Sequence, residues 1–179
     1  MLRILAGVVA LLVASLLLIV VIGYTVPRHH VTSRAILLHE KPADVFALIS
    51  DFKDGPAWRE GLQQVEILPD RDGHARFREK STNGTITMEV VESIPPRRMV
   101  TRIDDKDVPF GGSWIFEVIP TDGGCRLNIT ERGEVYNPVF RFVSRFVIGY
   151  HATMDAYLKS VARKFGENSL PVEGVAGTL

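Results

Sequence analysis

The sequence predicts an α+β domain in which a curved antiparallel sheet wraps around one long C-terminal helix, with a single transmembrane helix in front. Three observations carry this expectation. Residues 4–23 form an uncharged, almost wholly apolar run; residues 65–134 alternate apolar and polar side chains between recurring turn residues; and residues 137–166 repeat apolar side chains at steps of three and four. The chain has 179 residues, with 21 Lys+Arg against 21 Asp+Glu and one cysteine. That length allows one domain of ordinary size plus a short appendage. Balanced charge argues against a protein held to nucleic acid by phosphate neutralisation. Cys125, standing alone, can make neither an intramolecular disulfide nor a cysteine-rich zinc site.

In the leading run only Gly7, Ser15 and Gly23 fall outside the hydrophobic class. Twenty residues of helix reach about 30 Å, the hydrocarbon thickness of a bilayer. Tyr24 sits where an interfacial aromatic belongs, and Pro27, Arg28, His29 and His30 mark the exit into water. A cleaved secretory signal is the competing reading, with Met1-Leu2-Arg3 as its charged start. The apolar run, however, exceeds the about 7 to 15 residues usual for such a signal, and no A-x-A-like cleavage site follows. An uncleaved anchor over residues 1–27 is therefore expected, and a single-pass membrane location with it. Arg3 and the terminal amine on one side face Arg28 and Arg34 on the other, so charge sets no orientation. A tail this short is easily left inside, which points the folded domain out of the cytoplasm.

Residues 28–166 read as one domain and residues 167–179, small and polar, as a flexible tail. A first strand is expected at 32–39. Pro42 and Asp44 then open a helix with Val45, Phe46, Leu48 and Ile49 as its apolar side, and Asp54, Gly55 and Pro56 break it before Trp58. Strands follow at 65–68, 75–81, 85–93, 99–103, 112–119 and 125–134. Asp70-Arg71-Asp72-Gly73, Asn83-Gly84, Pro95-Pro96 and Asp122-Gly123-Gly124 punctuate them.

Strand alternation places Phe77 with Glu79, Ile86 with Met88 and Val90, Trp114 with Phe116 and Val118, and Leu127 with Ile129 and Glu131. That face is apolar and the other is wet, so something must cover it. The cover is a helix of about 28 residues, capped by Asn137, started by Pro138 and ended by Gly166. Such an arrangement is a helix grip, and a sheet curled around a helix often leaves a pocket between them. The expected lining is Phe77, Met88, Trp114, Phe116, Tyr150, Met154 and Tyr157. Each of these is also the kind of residue that simply fills a core.

The run His39-Glu40-Lys41-Pro42-Ala43-Asp44-Val45-Phe46-Ala47-Leu48-Ile49-Ser50-Asp51, then Pro56-Ala57-Trp58 and Val65-Glu66-Ile67, resembles the opening of the polyketide cyclase/dehydrase and lipid-transport family. That family belongs to the START-like, birch-pollen-allergen-like (SRPBCC) superfamily. Ser113-Trp114-Ile115-Phe116-Glu117-Val118 before Asp122-Gly123-Gly124-Cys125-Arg126-Leu127 is similar to its penultimate hairpin. The resemblance covers about residues 33 to 166 and implies a helix-grip fold with a cavity. For chemistry it implies a range, from ligand carriers to cyclases.

Two carboxylates, Glu79 and Glu131, share the apolar face, where a charge needs a partner or water. Inside a pocket either could serve as a general acid or base. The alternative is a rim position or a structural pair with an inward-reaching arginine. His29, His30, His39, His74 and His151 show no metal-ligand spacing, and His29 and His30, next to the membrane, are expected in water. No metal or cofactor motif is present. Arg141 and Arg145 beside Phe140, Phe142 and Phe146 combine basic and aromatic residues that can dock on anionic lipid headgroups. The functions in view are then a membrane-anchored binder of a lipid or isoprenoid-like molecule, a cyclase or dehydratase using a cavity carboxylate, and a protein-interaction module without a ligand.

Overall fold

The computed structural model describes residues 1–178. Helix α1 (Leu2–Thr25) contains a segment, Arg3–Thr25, long and apolar enough to cross a membrane. Its apolar side chains point outward, with Leu11 at 67% and Leu17 at 60% exposure, so it is no core helix. Strand β1 (His29–Leu38) follows after three residues, then α2 (Pro42–Ser50) and a 3₁₀ turn at Gly55–Ala57. Six strands form a meander: β2 (Leu62–Arg71), β3 (His74–Ser81), β4 (Gly84–Ile94), β5 (Arg98–Ile103), β6 (Phe110–Thr121) and β7 (Gly124–Val135). Strand β1 returns beside β7, and a two-residue β8 (Val172–Glu173) pairs with its free edge, giving an antiparallel sheet ordered β2-β3-β4-β5-β6-β7-β1-β8. Register shifts in β2 and between β4 and β5 mark bulges, which bend the strands they interrupt.

Alternation along these strands produces the expected faces. Phe77 pairs with Met88, Phe116 with Met99 and Ile129, and Trp114 with Glu131. The inner face packs against α4 (Ala152–Lys164), whose Met154, Leu158 and Val161 are fully buried with Ile36, Leu127 and Ile129. Each such aliphatic side chain contributes about 1.5–3 kcal/mol of burial. Arg34 of β1 clamps α4 through Asp155 at 2.6 Å and reaches the Pro171 carbonyl at 3.1 Å.

Two expectations need correction. The helix read as one rod from 137 to 166 is interrupted. Asn137 caps it as expected, its Oδ1 accepting from the Val139 and Phe140 amides, but α3 (Pro138–Val143) passes into a π turn (Ser144–Ile148) and stops at Gly149. Gly149 has φ +80° and ψ +148°, a conformation essentially reserved for glycine, and it redirects the chain before α4 begins. Apolar spacing continues across this point, which is why periodicity alone reads through it. The tail read as flexible is paired. Beyond β8, Val175 exchanges hydrogen bonds with the Asn128 amide at 2.8 and 3.0 Å, and the Gly177 amide donates to Thr130 Oγ1 at 2.8 Å. Arg132 and Arg98 hold the Gly177 and Thr178 carbonyls at 2.8 and 2.6 Å. The segment thus crosses the outer face as a strap, over Ile115 and Thr130, which are both 0% exposed.

Candidate functional site

Between the sheet and α4 the expected lining residues meet one another. Phe116 and Met154 are buried, and Tyr157 packs edge-on against Trp58 and Trp114 at ring-centroid distances of 5.5 and 5.8 Å. Phe77 stacks on Phe52 at 4.0 Å. These four behave as core. Met88, Trp114 and Tyr150 stay half-buried; Trp114 packs against the core, and Tyr150 borders a hollow at the helix break.

Glu79 lies in the packed part. Arg59, from the turn after α2, meets it with both terminal guanidinium nitrogens, Nη2 donating to Oε2 at 3.0 Å, and lies over the Tyr157 ring at 5.0 Å. Burial would lower the Arg59 pKa, but the charge and hydrogen bonds of Glu79 outweigh it and the net shift is upward. Burial also pushes the Tyr157 phenol up, against the pull of Arg59. This is the structural pair with an inward-reaching arginine weighed from the sequence.

Glu131 has different company. One carboxylate oxygen accepts from the Trp114 indole at 3.1 Å, and the other lies 3.1 Å from His30 Nε2. The His30 ring stacks on Tyr150 at 3.9 Å with an interplanar angle of 4°, and Arg145 lies over the same tyrosine. Gly133 sits opposite His30 in the β1–β7 register and leaves room for the ring. His30 Nδ1 is buried with no hydrogen-bond partner. The expectation that His30 is solvated is therefore corrected: its side chain is 11% exposed. Strand β1 begins three residues earlier than expected, which turns His30 inward with Thr32, Arg34, Ile36 and Leu38. The signal was available, since nothing between Arg28 and Thr32 breaks that alternation.

Two hollows of about 430 Å³ each open at the end of the sheet that receives α1. One lies at the helix break, bordered by Arg145, Ile148, Tyr150, His151 and Asp155. The other lies beside the strand ends, bordered by His30, Tyr136 and the charged Arg102, Asp105, Arg132 and Glu134. Among the described residues no group of three His, Cys, Asp or Glu side chains could hold a metal ion. The hollows thus offer mixed charged, polar and aromatic borders, and the hydrogen-bonded His30–Glu131–Trp114 set reaches the second of them through His30.

The profile of one protein family, described as polyketide cyclase / dehydrase and lipid transport, matches residues 29–166. The chain belongs to this family. Solved structures with the same fold include the di-domain aromatase/cyclase StfQ of the steffimycin biosynthetic pathway (TM-score 0.61, 12% identity), of which the chain spans half the length while 74% of this chain is covered. The Zhui aromatase/cyclase of Streptomyces sp. R1128 superposes with a TM-score of 0.61 at 14% identity, over 74% of this chain and 91% of that one. A START superfamily protein from Mycobacterium smegmatis gives 0.56 at 15% identity, over 75% and 99%. At such identities the likeness establishes the fold alone. No curated protein matches the sequence.

Proposed function

We propose that the chain is a membrane-anchored START-like domain that binds a hydrophobic small molecule, of lipid or isoprenoid type, at the end of the helix grip next to α1. The observation that carries this reading is the hollow at the Gly149 break. Its Tyr150 stacks on His30, five residues after the end of an apolar helix of spanning length, and it joins an apolar border at Ile148 to polar groups at Arg145, His151 and Asp155. Apolar burial at roughly 25 cal/mol per Å² would supply affinity, and those polar groups would orient a headgroup. Of the expected lining residues, Tyr150 borders this hollow and would touch such a ligand, while Phe77, Phe116, Met154 and Tyr157 belong to the packed interior. The family description, which includes lipid transport, supports the same class.

The test is extraction of the full chain from membranes in mild detergent, followed by mass spectrometry of co-extracted lipid. One lipid class enriched over the bulk extract, and lost in Tyr150→Ala, is expected. Bulk composition in both preparations would sink the reading. The set around Glu131 favours a second reading, an acid–base enzyme of the kind that the aromatase/cyclase neighbours are named for. On that reading Glu131→Gln keeps the co-extracted molecule but accumulates it unconverted.

A further inference from the structure

Phe146, Val147 and Ile148 are consecutive and 60%, 69% and 53% exposed, a run of large apolar side chains that a water-facing surface rarely presents. They belong to the π turn, just before Gly149 redirects the chain. The position of the segment along α1 is fixed by a close contact. Gly23, in the last turn of α1, lies against the Pro138 carbonyl so tightly that a side chain there would overlap it. The start of α3 therefore sits level with the end of the apolar helix, α3 packs on that helix, and the exposed run follows α3 directly. Tyr24 and Tyr136, 69% and 43% exposed, flank the same contact in sequence, as interfacial aromatics do. Residues 135–154 contain Arg141 and Arg145 and no acidic residue, a sign balance suited to anionic headgroups.

We infer that Pro138–Val143 and the following π turn lie in the headgroup region of the bilayer, with Phe146, Val147 and Ile148 reaching its hydrocarbon boundary. This rests on the reading of α1 as a span. The occupant is the bilayer rather than a second copy of the chain, because α3 packs on the end of α1 and the span brings lipid to this depth. Lipid contact at Ile148 also opens the hollow at the helix break toward the membrane.

The experiment uses the full chain in vesicles of phosphatidylcholine and phosphatidylglycerol. Phe146→Cys, Ile148→Cys, Val13→Cys and Ile119→Cys each carry an environment-sensitive fluorophore. Cys125 stays unlabelled, since it is fully buried and burial pushes its thiol up to about 11. Positions 146 and 148 should show blue-shifted emission and quenching by spin-labelled lipid, as position 13 does, while Ile119 on the far part of β6 shows neither. Quenching at 13 with none at 146 and 148 overturns this inference and leaves the anchor standing. No quenching at 13 overturns both. A blue shift at 146 and 148 without lipid quenching assigns the face to a protein partner and overturns it as well.

Discussion

Glu89 lies on the outer face of β4 with 3% of its side chain exposed, 2.7 Å from Arg102 and 3.5 Å from Arg71. Asp104 takes Arg71 and Arg76 at 2.7 and 2.9 Å. Burial alone would raise both carboxyls. The hydrogen bond from Arg102 outweighs it for Glu89, and that from Arg71 does so for Asp104, so both are held below their ordinary range. A depressed folded value means that the stabilisation is complete above the unfolded carboxylate pKa of about 4 and is lost as pH falls through the lower folded values. Denaturant midpoints of the full chain should therefore be flat near neutrality and drop in acid. Glu89→Gln should lower the neutral plateau by on the order of 1 kcal/mol, since its arginines are half in water, and shallow the acid limb. An acid limb unchanged by the substitution would contradict this.

The strap shows how an element can be built from side chains already placed elsewhere. Residues 171–178 have no periodicity of their own, and their amides and carbonyls are satisfied by Asn128, Thr130, Arg132 and Arg98. Truncation after Leu170 uncovers Ile115 and leaves the buried Asn128 amide short of two partners. It should destabilise the domain by roughly 2–3 kcal/mol, read by denaturant unfolding; a change of only a few tenths would mean that the strap rests on the sheet without holding it. This dependence on distant residues is why the strap is invisible in the sequence, whereas β3 to β7 announce themselves through alternation and turn residues such as Asn83-Gly84 and Asp122-Gly123-Gly124. The break at Gly149 fails to register for a related reason. One glycine inside a continuing apolar repeat looks tolerable locally, and only its backbone angles reveal the turn. In the site, the inward placement of Glu79 and Glu131 followed from strand parity, but their partners Arg59 and His30 come from a turn and a strand end, where parity is weakest.

For the whole molecule, the join between α1 and the domain decides how the apolar helix is held. Only Val26, Pro27 and Arg28 separate α1 from β1; Val26 is 7% exposed, and the Arg28 carbonyl accepts from the Val135 amide at 2.9 Å. The link is therefore pinned to the sheet rather than loose, and the Gly23–Pro138 contact adds a second point of attachment. Two attachments fix the direction in which the helix leaves the domain, so the end of the sheet with both hollows keeps a constant relation to α1. Gly23→Leu tests this. Its side chain meets backbone, not a flexible side-chain tip, so α3 must move away, at a cost of about 1–3 kcal/mol. Amide exchange over residues 140–144 should then accelerate by about tenfold or more, the factor that about 1.4 kcal/mol produces. Gly7→Leu is the control, because nothing lies within 4 Å of the Cβ added there. Equal exchange in the two variants would mean that α3 does not depend on α1. The domain would then turn freely about its link, and its hollows would have no fixed relation to the helix.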